Sequence, residues 1–210
     1  MSRPEPVAVE VSRLLEAARV RLAATEVASL ARFADLLLRW NRVYNLTGIR
    51  DVGELVERHL LESLALRPEL RGALVADVGT GAGLPGLPLA ICEPEREFTL
   101  IESRAKRVRF LRHAIAELGL KNAVVAHTRA EQLRPERPFT TVLARAVAPP
   151  AELLAICRPL TAPGSILLLL TAAHLQDAFR GLAPDFVLKS PAVERKRMRS
   201  SIVLLERINV

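Results

Sequence analysis

The stretch LVADVGTGAGLPGLPLA, Leu74 to Ala90, places Gly79, Gly81, Gly83 and Gly86 between two apolar runs. A short apolar run, a glycine-rich turn and a second apolar run opened by Pro85 spell strand, loop and helix. In such a unit the glycines let the backbone come close to a ligand, and the first turn of the helix offers it unpaired N–H groups. Pro85 suits that first turn, where its missing N–H has no partner to lose.

Working outward, the pattern repeats. Strands are expected at Phe98–Ile101, Ala123–Ala126, Thr141–Ala144 and Ser165–Leu170, and helices near Pro85–Cys92, Arg104–Leu118, Pro150–Cys157 and Ala173–Phe179. Alternation of this kind calls for a parallel sheet covered on both faces. The last runs, Phe186–Lys189 and Ser201–Arg207, have no helix between them and should close the sheet as an antiparallel hairpin. Before the glycine loop, Leu14, Leu15, Ala18, then Leu30, Phe33, Ala34, Leu37, Leu38, then Leu55, Val56, Leu60 and Leu64 recur at helical steps. Asp51 followed by Glu54 reads as a capping box. The expected organisation is an N-terminal helical cap over residues 1–68 and a Rossmann-like domain over 69–210, forming one unit.

Composition narrows the functional classes. The 210 residues are half apolar and one quarter charged, with 10 Gly and 14 Pro, which fits a globular chain and no fibrous or disordered one. The longest uncharged stretch, near Pro159 to Leu175, is interrupted by Pro163 and Gly164, and the N-terminus lacks the apolar centre of a secretory signal. A cytoplasmic protein away from the membrane is expected. Cys92 and Cys157 sit among apolar neighbours, and His59, His113, His127 and His174 show no ligand spacing, so no metal is expected. The net charge of +7 favours a polyanionic partner, nucleic acid first.

The glycine letters fit two cofactors. Gly81, Gly83 and Gly86 spell the dinucleotide fingerprint G-x-G-x-x-G, whereas Gly79, Gly81 and Gly83 spell the G-x-G-x-G of S-adenosylmethionine enzymes. Both want an acidic residue about 20 positions on for the ribose hydroxyls, and Glu102 stands at that distance, at the end of the second strand. Asp77, two residues before Gly79, would repel a pyrophosphate and attract a ligand carrying an ammonium and a sulfonium. The single tyrosine, Tyr44, lies in the cap, so no Tyr-x-x-x-Lys hydride-transfer pair follows the fourth strand. A phosphate-binding G-x-x-x-x-G-K-[ST] is absent from the sequence.

DVGTGAGLPG (Asp77 to Gly86), preceded by WNRVYNLTGIRD (Trp40 to Asp51) and RHLLESL (Arg58 to Leu64) and followed by ESRAKRVRFL (Glu102 to Leu111), RAEQL (Arg129 to Leu133) and ARA (Ala144 to Ala146), resembles the bacterial ribosomal RNA small-subunit methyltransferase G family. That family is also called glucose-inhibited division protein B. The resemblance implies a Rossmann-like S-adenosylmethionine-dependent methyltransferase fold with a seven-stranded, mostly parallel sheet. It implies transfer of a methyl group from S-adenosylmethionine to N7 of a specific guanine in 16S ribosomal RNA, the partner being that RNA or the 30S particle; a monomer is expected. It also implies cofactor contacts at Gly79 and Leu84, at Glu102, at Ala130 and Glu131 beside the adenine, and at Arg145. Gly81 and Gly83 complete the expected loop, and Arg145 is the candidate catalytic residue, orienting cofactor or base.

The chain departs from the family pattern after the fifth strand, where Leu169, Leu170 and Thr171 replace the usual Leu-Lys-Gly. Two alternatives therefore remain: a nicotinamide-dinucleotide oxidoreductase using the same loop, and a non-catalytic RNA-binding or assembly factor that has kept the fold. Guanine N7 offers a free lone pair in the major groove, so its methylation needs no deprotonation and no visible general base.

For RNA contact, Arg104, Lys106, Arg107, Arg109 and Arg112 crowd one helix, and Arg195, Lys196, Arg197 and Arg199 precede the last strand. In the cap, Arg39, Arg42, Arg50, Arg58 and His59 are expected to face the cleft, and Asn45, Thr47 and Arg58 fall in the stretches that match the family. Trp40 and Tyr44, four apart on a helix, offer base-stacking surfaces, though packing against the core is the commoner use of such a pair.

Overall fold

The computed structural model describes residues 6–145, 147–172, 177–189 and 200–210. The cap contributes α1 (Val7–Ala17), α2 (Ala24–Tyr44), α3 (Val52–Leu55), a π-turn (Val56–Leu60) and α4 (Leu61–Ala65). There follow β1 (Leu74–Val78), α5 (Gly86–Cys92), β2 (Glu97–Ile101), α6 (Ala105–Leu118), β3 (Ala123–Ala126), β4 (Thr141–Arg145), α7 (Pro150–Cys157), β5 (Ile166–Ala172), β6 (Phe186–Leu188) and β7 (Ser200–Arg207). Of the expected helix Ala173–Phe179, residues 173–176 lie outside the described residues and Asp177–Phe179 is one 3-10 turn. Arg195, Lys196, Arg197 and Arg199 also lie outside them.

Among the described residues the strands form one sheet in the order β3-β2-β1-β4-β5-β7-β6. β3, β2, β1, β4 and β5 run parallel, and β7 pairs antiparallel with both β5 and β6, the closing hairpin expected from the last two apolar runs. Because both faces are covered, the inner strands read as continuous apolar runs. In β5, Leu167 and Leu169 pack with α7 residues such as Leu153 and Cys157, whereas Ile166, Leu168 and Leu170 pack with Leu66, Leu89 and Ile202 on the other face.

Alternation along the strands also decides which side chains meet the cap. Asp77, two residues after Val75, and Arg145, two residues after Leu143, share their parity, and Arg145 pairs in register with Leu170. The cap does not stand apart from the sheet domain: Leu30, Phe33, Leu37 and Leu55 share a buried cluster with Leu84, Leu87, Phe110 and Leu111. Burying eight such side chains at about 1.5–3 kcal/mol each is ample to fix the cap against α5 and α6.

Local signals set the element ends. Asp51 accepts from the Glu54 N–H at 2.8 Å, but the Glu54 carboxylate reaches back to the Arg50 N–H at 3.3 Å, so the expected capping box is half formed. Asn45 ends α2 in the left-handed region. Pro85 is the residue before α5 and not its first turn. Cys92 and Cys157 are buried free thiols, each pushed up to about 12 by burial.

Candidate active site

β2 and β3 lie on one side of β1 and β4 on the other, so the chain reverses direction across the sheet between β1 and β4. In open α/β sheets, ligands settle outside the carboxyl ends of the strands at such a point. A cavity of about 960 Å³ opens there. It is bounded by the loop from Gly79 to Ala82, by Glu102 and Arg107, by Thr128 and Gln132, by Arg145 and, from the cap, by Thr47 and Gly48.

The glycine loop is held by its own hydrogen bonds. The Thr80 N–H donates to the Ile101 carbonyl at 3.2 Å, and the Gly83 and Leu84 N–H groups donate to the Thr80 carbonyl at 3.0 and 3.1 Å. Asp77 Oδ2 accepts from the Thr80 hydroxyl at 2.6 Å and from the Gly86 N–H at 2.8 Å. This corrects the expected role of Asp77: it is 1% exposed, is absent from the cavity lining, and ties the loop to the start of α5. Burial raises its carboxyl to about 6, against the hydrogen bonds from Thr80 and Gly86. Its Oδ1 is buried without a hydrogen-bond partner, an uncompensated acceptor directly beneath the loop.

Glu102 lies where the ribose rule places it, 4% exposed at the end of β2. Its carboxylate accepts from the Gly81 N–H at 3.1 Å, the Arg104 N–H at 2.8 Å and the Arg107 guanidinium at 3.4 Å. A carboxylate has about four acceptor sites, so one remains rather than the two expected for a ribose diol. Ala130 and Glu131 open a 3-10 turn after β3 and border a recess of about 150 Å³ with Gly79, Ile101 and Val147. Gly79, Gly81, Leu84, Glu102 and Arg145 thus gather around the main cavity, with Ala130 and Glu131 beside it. Gly83 lies behind the loop, against Leu87 and Leu111.

Arg145, the last residue of β4, donates to Nδ1 of His59 on the cap's π-turn. Burial lowers its pKa, while Asp77 and Glu62 pull the other way and Arg58 repels it. His59 is held down at about 3, chiefly by burial and then by Arg145 and Arg58, so its ring is neutral at physiological pH. Two carboxylates, Asp77 and Glu62, act on the guanidinium, but its hydrogen-bond partner is an imidazole. Nothing in the sequence signalled this pair, since 86 positions separate its members.

The basic residues divide. Arg104, just before α6, and Arg107 both line the cavity, while Lys106, Arg109 and Arg112 are exposed along α6. Thr47 lines the cavity, its N–H donating to Asn41 at 2.9 Å. Arg39, Arg42 and Arg50 instead border a separate hollow of about 730 Å³ on the cap, which corrects the expectation that they face the cleft, and Asn45 borders the same hollow. Arg58 is exposed and ion-paired to Glu54 at 2.5 Å. Trp40 packs against Phe110 and His113, and Tyr44 stands outside it, 38% exposed, with the Lys106 ammonium 5.9 Å from its ring centre. His127, Thr128 and Gln132 were missed as cavity residues, although their place after β3 at the carboxyl edge was a usable signal.

The pocket fits S-adenosylmethionine on its own chemistry: a main-chain loop, a buried carboxylate with one acceptor site to give, and guanidinium groups for a carboxylate. Among the described residues no helix is long and apolar enough to cross a membrane.

The fold is shared with solved methyltransferase structures. A putative O-methyltransferase from Klebsiella pneumoniae superposes with a TM-score of 0.61 at 13% identity, over 96% of this chain and 97% of that one. An rRNA methylase from Streptococcus thermophilus gives 0.52 at 17% identity, over 71% of this chain and 95% of that one. MtNAS in complex with S-adenosylmethionine gives 0.59 at 14% identity, over 95% and 84%. By sequence, the chain is 48% identical over 173 residues to a ribosomal RNA small subunit methyltransferase G of Halorhodospira halophila, covering 82% of each chain. It is 42% identical over 180 residues to the protein of that name from Enterobacter sp., covering 84% of this chain and 81% of the relative. The family model for GidB, rRNA small subunit methyltransferase G, matches residues 26–199. With the cavity, the glycine loop and these relatives in agreement, the chain belongs to the rRNA small subunit methyltransferase G family and is an S-adenosylmethionine-dependent methyltransferase.

Proposed function

We propose that this chain methylates N7 of a guanine in small-subunit ribosomal RNA, in the cytoplasm, with S-adenosylmethionine held in the cavity between β1 and β4. The observation that carries the reading is the cavity itself, a main-chain glycine wall with Glu102 on one side and the Arg145 guanidinium on the other. Family membership favours the methyl donor over the dinucleotide that the glycine letters also allow. What the cofactor supplies when bound is a methyl group on a sulfonium, which the N7 lone pair accepts without prior deprotonation.

The chain's own residues bind and orient. Glu102 presents its remaining acceptor site to the ribose, the recess beside Ala130 and Glu131 receives the adenine, and Arg145 directs N–H groups at the carboxylate of the cofactor or at the base. None of them needs to move a proton: Arg145 stays a guanidinium, His59 stays a neutral ring, and Asp77 is sealed beneath the loop. Holding two reactants in line supplies about 7–11 kcal/mol of a barrier on effective-molarity grounds, which is where catalysis here comes from. Arg107 in the cavity and the exposed cations of α6 form a basic approach for phosphates, with Thr47 and Arg58 contributing from the cap. Their contact with RNA weakens steeply with salt.

The test incubates 30S subunits and naked 16S RNA with the protein and S-adenosylmethionine carrying a labelled methyl group, followed by mass spectrometry of the nucleosides. Labelled 7-methylguanosine, near one per RNA, is the expected product. Label in another nucleoside, or none in either substrate, contradicts the reading.

A further inference from the structure

His59 reaches from the cap to the carboxyl end of β4 because the helix that carries it departs from α geometry. Residues Val56–Leu60 form a π-turn between α3 and α4, with the Leu61 N–H donating to the Val56 carbonyl. The Ser63 hydroxyl donates to the His59 carbonyl at 2.6 Å and steadies the turn. Single π-turns inside a helix commonly sit at functional positions, where the extra residue re-aims a side chain. Here the re-aimed side chain is an imidazole set against Arg145.

The choice of partner matters. A carboxylate facing a guanidinium takes two N–H groups at once and cancels its charge. An imidazole takes one N–H and cancels nothing. Two carboxylates are in range to influence Arg145, yet neither holds it: Asp77 Oδ2 is committed to Thr80 and Gly86, and Glu62 Oε1 accepts from the Ser200 N–H at 3.2 Å.

We propose that His59 is a positioning residue: its neutral ring, protonated on Nε2, accepts one Arg145 N–H through Nδ1 and fixes the guanidinium at the cavity with its charge intact. The role rests on the assignment of Arg145 to the methyl-transfer site. A protonated ring would set N–H against N–H and add a third positive charge beside Arg145 and Arg58, with Glu62 of α4 and Asp77 of β1 as the acidic groups around the guanidinium. Burial and these two arginines account for the depressed pKa of His59.

Two measurements test it, one of them independent of catalysis. Nitrogen NMR of labelled protein without cofactor should show His59 as the Nε2–H tautomer, still neutral at pH 5, well below its ordinary value of 6.5. In Arg145→Gln the ring should titrate at least about one unit higher, having lost a neighbouring charge. A His59 that titrates near 6.5, or carries its proton on Nδ1, overturns the pairing whatever the activity.

The second measurement compares His59→Leu, which fills the space without an acceptor, with His59→Asn, whose Oδ1 overlays the lost Nδ1. The leucine variant should lose about 10-fold in kcat/KM, the worth of one charged hydrogen bond, and the asparagine variant should recover part of that loss. Equal losses in the two folded variants overturn the positioning role. If His59→Leu does not fold, the NMR result and His59→Asn decide. An Arg145→Ala protein with unchanged methylation overturns instead the assignment of Arg145 on which the role rests.

Discussion

On one side of the cavity the chain presents main chain, from Gly79 to Ala82, and on the other it presents the side chains of Thr47, Arg107 and Arg145. The first wall is assembled within ten residues. Its carbonyls and N–H groups are paired to Ile101, Thr80 and Asp77, and its shape follows from where a side chain can be tolerated. The second wall is assembled from the loop after α2, from α6 and from β4, and exists only once the cap has packed on α5 and α6. A main-chain wall is specified by local sequence, whereas a side-chain wall is a tertiary product. The two therefore fail in different ways when altered.

The largest expected effect is on the main-chain wall. Gly83→Ala adds a Cβ at φ +83° that collides with the Leu87 side chain and comes within 3.1 Å of Leu111. Left-handed strain of about 1–2 kcal/mol and overpacking of about 1–3 kcal/mol together predict a loss of about 2–5 kcal/mol, read as a lower urea midpoint.

Next comes the side-chain wall. Arg145→Lys keeps the charge but not the planar fork, and is expected to lose about 10–100-fold in kcat/KM with the urea midpoint nearly unchanged. An urea midpoint that falls as far as that of Gly83→Ala would show that the two walls are not separable.

Gly81→Ala sharpens the comparison within one loop. At φ +61° its Cβ would meet nothing nearer than 3.8 Å, so only the backbone strain of about 1–2 kcal/mol remains. The smaller loss relative to Gly83→Ala measures the packing component alone.

The walls also respond oppositely to pH. Asp77 rises from 3.8 to about 6 on folding, so its contribution to stability is full below 3.8 and is lost as pH rises toward 6. His59 falls from 6.5 to about 3, so its contribution is full above 6.5 and is lost as pH falls toward 3. The two slopes offset each other in the intact protein. Between pH 6.5 and 4, denaturation of Asp77→Asn should show stability falling more steeply with acid than in the parent, and His59→Asn the reverse. Parallel curves for all three proteins would contradict the assigned shifts.

The same division explains what could be read from the sequence. β1 and β3 begin and end where the apolar runs do, and Gly79, Gly81 and Glu102 gather as the strand-loop-helix spelling requires, because each of these features is fixed by its neighbours in the chain. Asp77 was misread because its place two residues before Gly79 shows that its carboxylate is near the loop, not that it is spent on holding that loop to α5. Arg39, Arg42 and Arg50 were misplaced for a related reason. Their place in the cap groups them, but the orientation of α2 over the sheet is set by Phe33 and Leu37 meeting Phe110 and Leu111, contacts that no local pattern carries. His59 and Arg145 were both singled out, yet their contact required a π-turn and a packed cap.

Calorimetric titration of the purified protein with S-adenosylmethionine and, separately, with a nicotinamide dinucleotide tests the central claim most directly. Saturable binding of S-adenosylmethionine at one site per chain, lost in Gly83→Ala and weakened in Arg145→Lys, with no heat from the dinucleotide, is the predicted result. Saturable binding of the dinucleotide with none of S-adenosylmethionine would contradict the account.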